Sequence, residues 1–271
     1  MSDMMAICVT CGTQYPVVDA PPARCPICED DRQYVNSAGQ QWTTLADLRA
    51  GRANTLTEIA PGITTIATTP SAGIGQRAYL LTTPAGNILW DCLAYLDEET
   101  VAAIQARGGL AAIAISHPHF FTTMVDWSQA FGGVPIHIHA DHQPWVMRPD
   151  AAVRYFDGES VAPLGDLPDL RVLRLGGHFP GSSVLHWRGA PGSAALLTGD
   201  TVMVAADARW VTFMYSYPNR IPLGPTAIRR IVARLEPLAF SRLYDGWGAV
   251  KGDAKEAVMR SAERYLAHIS E

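Results

Sequence analysis

The sequence predicts an α/β fold of helix-covered sheets, with a small four-cysteine metal ribbon at its N-terminus. Three observations lead there. Apolar runs of strand length alternate with helical patterns and short turns, as expected for sheets covered by helices. Four of the five cysteines fall within the first 28 residues, in a doubled C-x2-C spacing. Hydrophobic residues make up 48% of the 271 positions and charged residues only 17%, which suits a large buried core and excludes global disorder.

The ribbon occupies 1–35. Cys8, Cys11, Cys25 and Cys28 form two C-x2-C turns that aim four thiolates at one point. That arrangement suits a tetrahedral metal, zinc or iron. The doubled spacing argues against a lone redox pair, and a cytosolic start argues against disulfides. So short a segment has too little core to fold alone, so its metal supplies folding energy. Residues 36–57 are polar and small and read as a connector, with one short helix over 44–50.

The main domain is expected over 58–271. Strands are predicted at 63–67, 78–83 and 87–91, the last entered through Pro84-Ala85-Gly86. A helix over 97–108 has acidic residues in its first turn. An apolar strand at 111–115 runs into Ser116-His117-Pro118-His119. A helix over 123–131 and a strand at 134–139 follow. Later strands are expected at 171–175, 183–187, 194–198 and 240–244, and helices over 225–235 and 253–268. Pro225 suits a first helical turn and Asp253 an N-cap. Cys92 reads as a buried free thiol and His186 as a structural residue.

Charge narrows the function. Lys and Arg total 21 against 26 Asp and Glu, a net −5, with no basic block. A nucleic-acid surface is therefore not expected. No apolar run reaches the roughly 18 residues of a membrane helix, and the first ten residues lack a signal-peptide pattern. The expectation is a cytoplasmic protein acting on a small molecule, without nucleic-acid or membrane partners, and with homo-oligomerisation left open.

Ligand-type residues close four apolar strands: Asp91, His117 with His119, His178 after Gly176-Gly177, and Asp200 after Gly199. Strand ends are where α/β sheets place their sites. An H-x-H pair with a distant His and Asp is a metal-ligand set by residue type. The order of these motifs resembles the metallo-β-lactamase superfamily over roughly 58–250. Leu-Trp-Asp91, Ser-His117-Pro-His119, Gly-Gly-His178-Phe-Pro-Gly-Ser and Leu-Thr-Gly-Asp200-Thr carry the likeness. The resemblance implies a four-layer αββα sandwich with a metal site on one edge. For most members it also implies hydrolysis by a metal-bound hydroxide. The N-terminal segment is similar both to the rubredoxin-type knuckle of rubrerythrins and to zinc ribbons; zinc is the expected metal of the four cysteines, with iron the alternative.

The departures from that family matter equally. Phe121 and Thr122 stand where the family has Asp-His, and Trp247 stands in place of its final histidine. What remains is a one-metal site of His117, His119, His178 and Asp200, holding zinc or iron. Asp200 is also a candidate base, and Asp245 with Tyr244 could stand near the place of the missing histidine. Tyr215 and Trp247 are expected to contact substrate. His137-Ile-His139-Ala-Asp141-His142 spells H-x-H-x-D-H letter for letter; the resemblance implies ligands one β-unit earlier, so His117 and His119 are preferred, with this motif the alternative main site and His139 or His142 candidates to line the pocket.

The leading expectation is a mononuclear metal-dependent hydrolase of an ester, thioester or lactone. A phosphodiester is disfavoured because two metals normally clamp that transition state. One alternative is a mononuclear iron redox enzyme of the persulfide-dioxygenase type, served by a rubredoxin-like module. Another is a non-catalytic binding protein on a degenerate fold.

Overall fold

The computed structural model describes residues 4–165, 167–189 and 193–269. Two sheets stack face to face. The seven-stranded one runs Val153–Phe156, Ile136–His139, Ala112–Ala114, Gly86–Trp90, Ala78–Thr83, Ile63–Thr69 and Ala53–Ala60. The six-stranded one runs Ser160–Val161, Leu170–Arg174, Ser183–Trp187, Ala195–Leu197, Arg242–Tyr244 and Ala249–Lys251.

Residue parity explains the layers, because successive side chains on a strand point to opposite faces. Tyr79 and Leu81 enter the core between the sheets, while Leu80 faces the helices outside. Ile88 and Trp90 alternate with Leu89 in the same way, as do Ala112 and Ala114 with Ile113. Strands buried on both faces read as continuous apolar runs, which is how these segments look in the sequence. From the other sheet, Val172, Leu185, Ala195 and Leu197 fill the same central core.

Helices close both outer faces. Glu98–Gln105 and Met124–Ala130 bring Ile104, Val125 and Trp127 onto the seven-stranded sheet. Pro225–Leu235 and Ala254–Ile269 cover the six-stranded sheet, the first through Ile228, Ile231 and Leu235. That three- and four-residue spacing is the apolar stripe of an amphipathic helix. Asp97 caps its helix by accepting the Thr100 N–H at 2.7 Å. The result is the αββα sandwich expected from the motifs. Among the described residues no helix is long and apolar enough to cross a membrane.

The ribbon has its own three-stranded sheet, ordered Gln14–Val18, Met4–Cys8, Trp42–Thr43. The expected connector over 36–57 is therefore shared out. Trp42–Thr43 completes the ribbon sheet, Leu45–Arg49 is the short helix, and Ala53–Ala60 is the outermost strand of the large sheet. The ribbon packs on the sandwich: the Gln14 N–H reaches the Thr122 carbonyl at 3.1 Å, and Gln14 Nε2 reaches Asp126 Oδ2 at 2.8 Å.

Candidate metal centre

Each ligand-type residue follows the end of a core strand. His117 comes just after Ala112–Ala114, and His119 sits in the short helical turn Pro118–Phe120. His178 lies in the loop between Leu170–Arg174 and Ser183–Trp187, and Asp200 follows Ala195–Leu197. The two sheets are stitched at this edge by the Ser183 N–H on the Ser116 carbonyl, 3.0 Å. Asp91 organises the rim: its Oδ1 accepts the Ser116 N–H at 2.7 Å. Burial raises the Asp91 carboxyl to about 7, against the opposing pull of that N–H.

His117, His119, His178 and Asp200 converge, with their four donor atoms within 4.8 Å of one another. Asp200 Oδ2 stands 3.4 Å from His117 Nε2, 4.0 Å from His119 Nδ1 and 3.7 Å from His178 Nε2. His178 Nε2 is 3.4 Å from His119 Nδ1. A tetrahedral metal with bonds of about 2.0–2.1 Å needs donors about 3.4 Å apart, so the set fits such an ion. Unpaired atoms point the same way: His117 Nε2 and Asp200 Oδ1 are buried without a hydrogen-bond partner. Buried polar atoms are normally paired, so such orphans call for a ligand.

The electrostatics suit metal ligation. Burial pushes His119 and His178 below the ordinary imidazole range, so both offer neutral nitrogens. Burial alone would raise Asp200, but the neighbouring imidazoles, His117 foremost, overcome it and hold the carboxylate well below its usual range. Outer partners fix the rings. Ser116 Oγ lies 2.9 Å from His117 Nδ1, and the Met214 carbonyl 3.3 Å from His178 Nδ1. Such contacts set the orientation of a ligating imidazole.

Cys8, Cys11, Cys25 and Cys28 form the second set, all buried and none in a disulfide. Cys8 Sγ is 3.6 Å from Cys28 Sγ, and Cys11 Sγ is 3.6 Å from Cys25 Sγ. Metal–sulfur bonds of about 2.3 Å place thiolates about 3.8 Å apart in a tetrahedron, close to this spacing. Tyr15 Oη donates to Cys25 Sγ and Gln40 Nε2 to Cys8 Sγ, at 3.3 and 3.2 Å. Hydrogen bonds from the other thiols, Cys11 first, hold Cys8 far below its ordinary range.

A cavity of about 400 Å³ opens over His119, His178 and Asp200. Tyr217 and Trp247 form part of its wall, and the Tyr217 hydroxyl donates to the Asp200 carbonyl at 3.1 Å. The ribbon supplies the facing wall through Arg32, Gln33 and Tyr34. The sequence carried no sign of these three beyond their nearness to Cys28.

Other expected site residues have different places. Tyr215 does not line the cavity; its hydroxyl donates to Asp31 Oδ1 at 2.6 Å and its ring lies against Arg32. Tyr244 is packed between the sheets, 5.7 Å from the Tyr79 ring. Asp245 is saturated by the N–H groups of Val204, Trp247 and Gly248, at 2.5, 2.6 and 2.5 Å. At the pair expected to be catalytic, the structure thus shows a turn-capping carboxylate and a packed ring. Phe121 joins the outer core, so its place holds no ligand. In the second H-x-H-x-D-H, Asp141 pairs with Arg174 at 2.8 Å and His139 Nε2 with the Gly158 carbonyl at 3.1 Å. Cys92 is a buried free thiol, and His186 Nε2 donates to the Ala239 carbonyl at 2.9 Å.

Sandwich topology and the His/Asp edge site together define a protein of the metallo-β-lactamase fold with an added four-cysteine ribbon. Solved structures agree. TMB-1 superposes with a TM-score of 0.58 at 14% identity, covering 79% of this chain and 98% of that one. DIM-1 metallo-β-lactamase gives 0.58 at 13% identity, covering 78% and 98%. A metallo-β-lactamase from Cronobacter sakazakii gives 0.53 at 17%, covering 80% and 97%. No protein-family model matches the sequence. The chain belongs to the same family as the uncharacterized protein YmaE of Bacillus subtilis (strain 168), with 47% identity over 264 residues, 96% of this chain and 95% of that protein.

Proposed function

We propose that the protein is a metal-dependent hydrolase with one metal at His117, His119, His178 and Asp200, acting on an ester, thioester or lactone. The observation that carries this reading is the convergence of three imidazoles and one carboxylate at tetrahedral spacing beneath a cavity. A divalent ion held there would polarise a carbonyl oxygen and lower the pKa of a water that takes a coordination position beyond the four side chains.

The chain's own residues do the rest. His119 and His178 are kept neutral by burial, so their rings offer lone pairs, and Ser116 Oγ holds the His117 ring through Nδ1. Asp200 supplies the negative charge through Oδ2. Its Oδ1 is buried and unpaired, and the strongly lowered pKa keeps the group an anionic carboxylate. Ile74, Met203 and Pro218 give the cavity apolar surface, and Trp247 adds an aromatic wall. A cavity of about 400 Å³ is of the size that takes a small molecule. Phe121, Thr122 and Trp247 offer no second set of imidazole or carboxylate ligands, which supports a mononuclear site.

Zinc in the ribbon and zinc or iron at the His/Asp site complete the reading. Elemental analysis of the purified protein and of His178→Ala tests it, together with turnover on an ester, thioester and lactone panel. The expected result is two metals per chain, one of them lost in His178→Ala along with the hydrolysis. Absence of turnover across the panel in protein carrying both metals would overturn the assignment.

A further inference from the structure

Arg32 joins the two ligand sets. Its Nη1 bonds both carboxylate oxygens of Asp30 at 2.9 Å, and its Nε donates to the backbone carbonyl of His178 at 2.7 Å. Its guanidinium carbon lies 4.4 Å from the centre of the Phe179 ring and 4.5 Å from that of Tyr215. The flat cation is therefore held against two aromatic rings, with Nε and Nη1 committed to hydrogen bonds.

The positions of those two rings give the contact its meaning. Phe179 directly follows the ligand His178. Tyr215 directly follows Met214, whose carbonyl faces His178 Nδ1 at 3.3 Å. Arg32 thus ties together the two backbone segments that decide where the His178 ring points. The ribbon segment 30–34, a strap that carries Arg32, is secured to the same region. Ser216 Oγ donates to the Arg32 carbonyl at 3.2 Å, and Asn219 Nδ2 to the carbonyls of Asp31 and Gln33 at 3.0 Å each.

At its other end the strap depends on the cysteines. Asp30, the counter-ion of Arg32, ends the helix Pro26–Glu29, and the Asp30 N–H bonds the Pro26 carbonyl. The Cys25 carbonyl accepts the N–H groups of Cys28 and Glu29, so the turn bearing two thiolates also sets the place of Asp30. A module this small takes much of its order from its metal.

We propose that Arg32 is a positioning residue for His178, and that through it occupancy of the four-cysteine site tightens metal binding at the His/Asp site. The inference rests on the reading that His117, His119, His178 and Asp200 hold a metal. Coupling of this kind is reciprocal: the His/Asp metal strengthens the cysteine site by the same factor.

The test is zinc affinity of the full chain, measured by competition with a chromophoric chelator. It is paired with the visible spectrum of cobalt(II) at the His/Asp site. Arg32→Met keeps an apolar stem and loses the charge and the donors; Arg32→Lys keeps the charge. Arg32→Met is expected to retain the cysteine-site metal, to bind the second zinc at least about tenfold more weakly, and to shift the cobalt bands. Arg32→Lys is expected to recover part of that loss. Cys25→Ser is expected to weaken the second site similarly; should that variant fail to fold, Arg32→Met decides alone. Wild-type affinity and unchanged cobalt bands in Arg32→Met would overturn the inference while leaving the hydrolase reading intact. A wild-type protein that binds metal only at the cysteines would overturn the His/Asp reading itself, and this inference with it.

Discussion

Gly199 packs against Ser116 with no room for a side chain. A Cβ on Gly199 would lie 2.7 Å from the Ser116 Cβ and nearer still to its hydroxyl, at a residue whose φ is +51°. Ser116 is the partner of the His117 ring, and Gly199 immediately precedes Asp200. Two strands of different sheets therefore meet through a glycine, which brings a histidine and a carboxylate into one donor set.

Gly199→Ala tests that contact. Left-handed backbone and a steric clash together are expected to cost about 1–3 kcal/mol of stability. The displacement of Ser116 is expected to loosen His117, so the His/Asp site loses metal while the four-cysteine site keeps its own. Thermal melts and metal analysis of the same preparation check both halves.

The legible part of this protein follows from periodicity and strand ends. Strands such as Ala78–Thr83 are buried on both faces, so their apolar runs stand out, and the ligands His117, His178 and Asp200 follow such runs closely. Ala53–Ala60 was hidden within the connector because it is an edge strand, with exposed and half-buried positions and only Leu56 reaching the outer core. Asp245 looked catalytic because a carboxylate at a strand end has no visible partner in one dimension. Its three backbone N–H donors appear only when the turn is folded. Arg32 was invisible for a related reason: its contact with His178 spans 146 residues, and nothing local distinguishes it from a surface arginine.

Tyr244 separates packing from catalysis. Tyr244→Phe keeps the ring that sits among Tyr79, Leu197 and the rest of the central core. Turnover on whichever panel substrate is hydrolysed is expected to stay within about twofold of wild type, since removing a general acid or base typically costs about 100-fold or more. Steady-state kinetics at two pH values checks this, and a 100-fold loss in kcat would restore the hydroxyl as a catalytic group.

Trp247 lies on the cavity wall, its ring 5.9 Å from that of Phe120. Trp247→Ala removes contact surface without touching a ligand. A several-fold rise in KM with little change in kcat is expected, because uniform binding is what such a wall supplies. Metal content is expected to stay at the wild-type value, and its loss would assign Trp247 to the support of the metal site instead.

His142 provides the test of the second H-x-H-x-D-H. It is fully buried, both ring nitrogens lack a hydrogen-bond partner, and the Phe179 ring meets it edge-on at 6.0 Å. Burial drives its pKa well below the ordinary 6.5, so the folded protein keeps the ring neutral. The unfolded chain protonates it below about pH 6.5. Unfolding then takes up a proton, and stability present above that pH is lost as the pH falls, by about 1.4 kcal/mol per unit. His142→Leu removes this residue's share of the slope and also removes two orphan polar atoms, whose burial costs about 1–3 kcal/mol. The variant is therefore expected to be at least as stable as wild type at pH 7.5 and increasingly more stable towards pH 5, with both metals retained. Denaturant melts across that range measure the widening gap. Loss of a metal in His142→Leu would instead make the letter-perfect motif a ligand set, and a gap independent of pH would mean that the ring is not held neutral by burial.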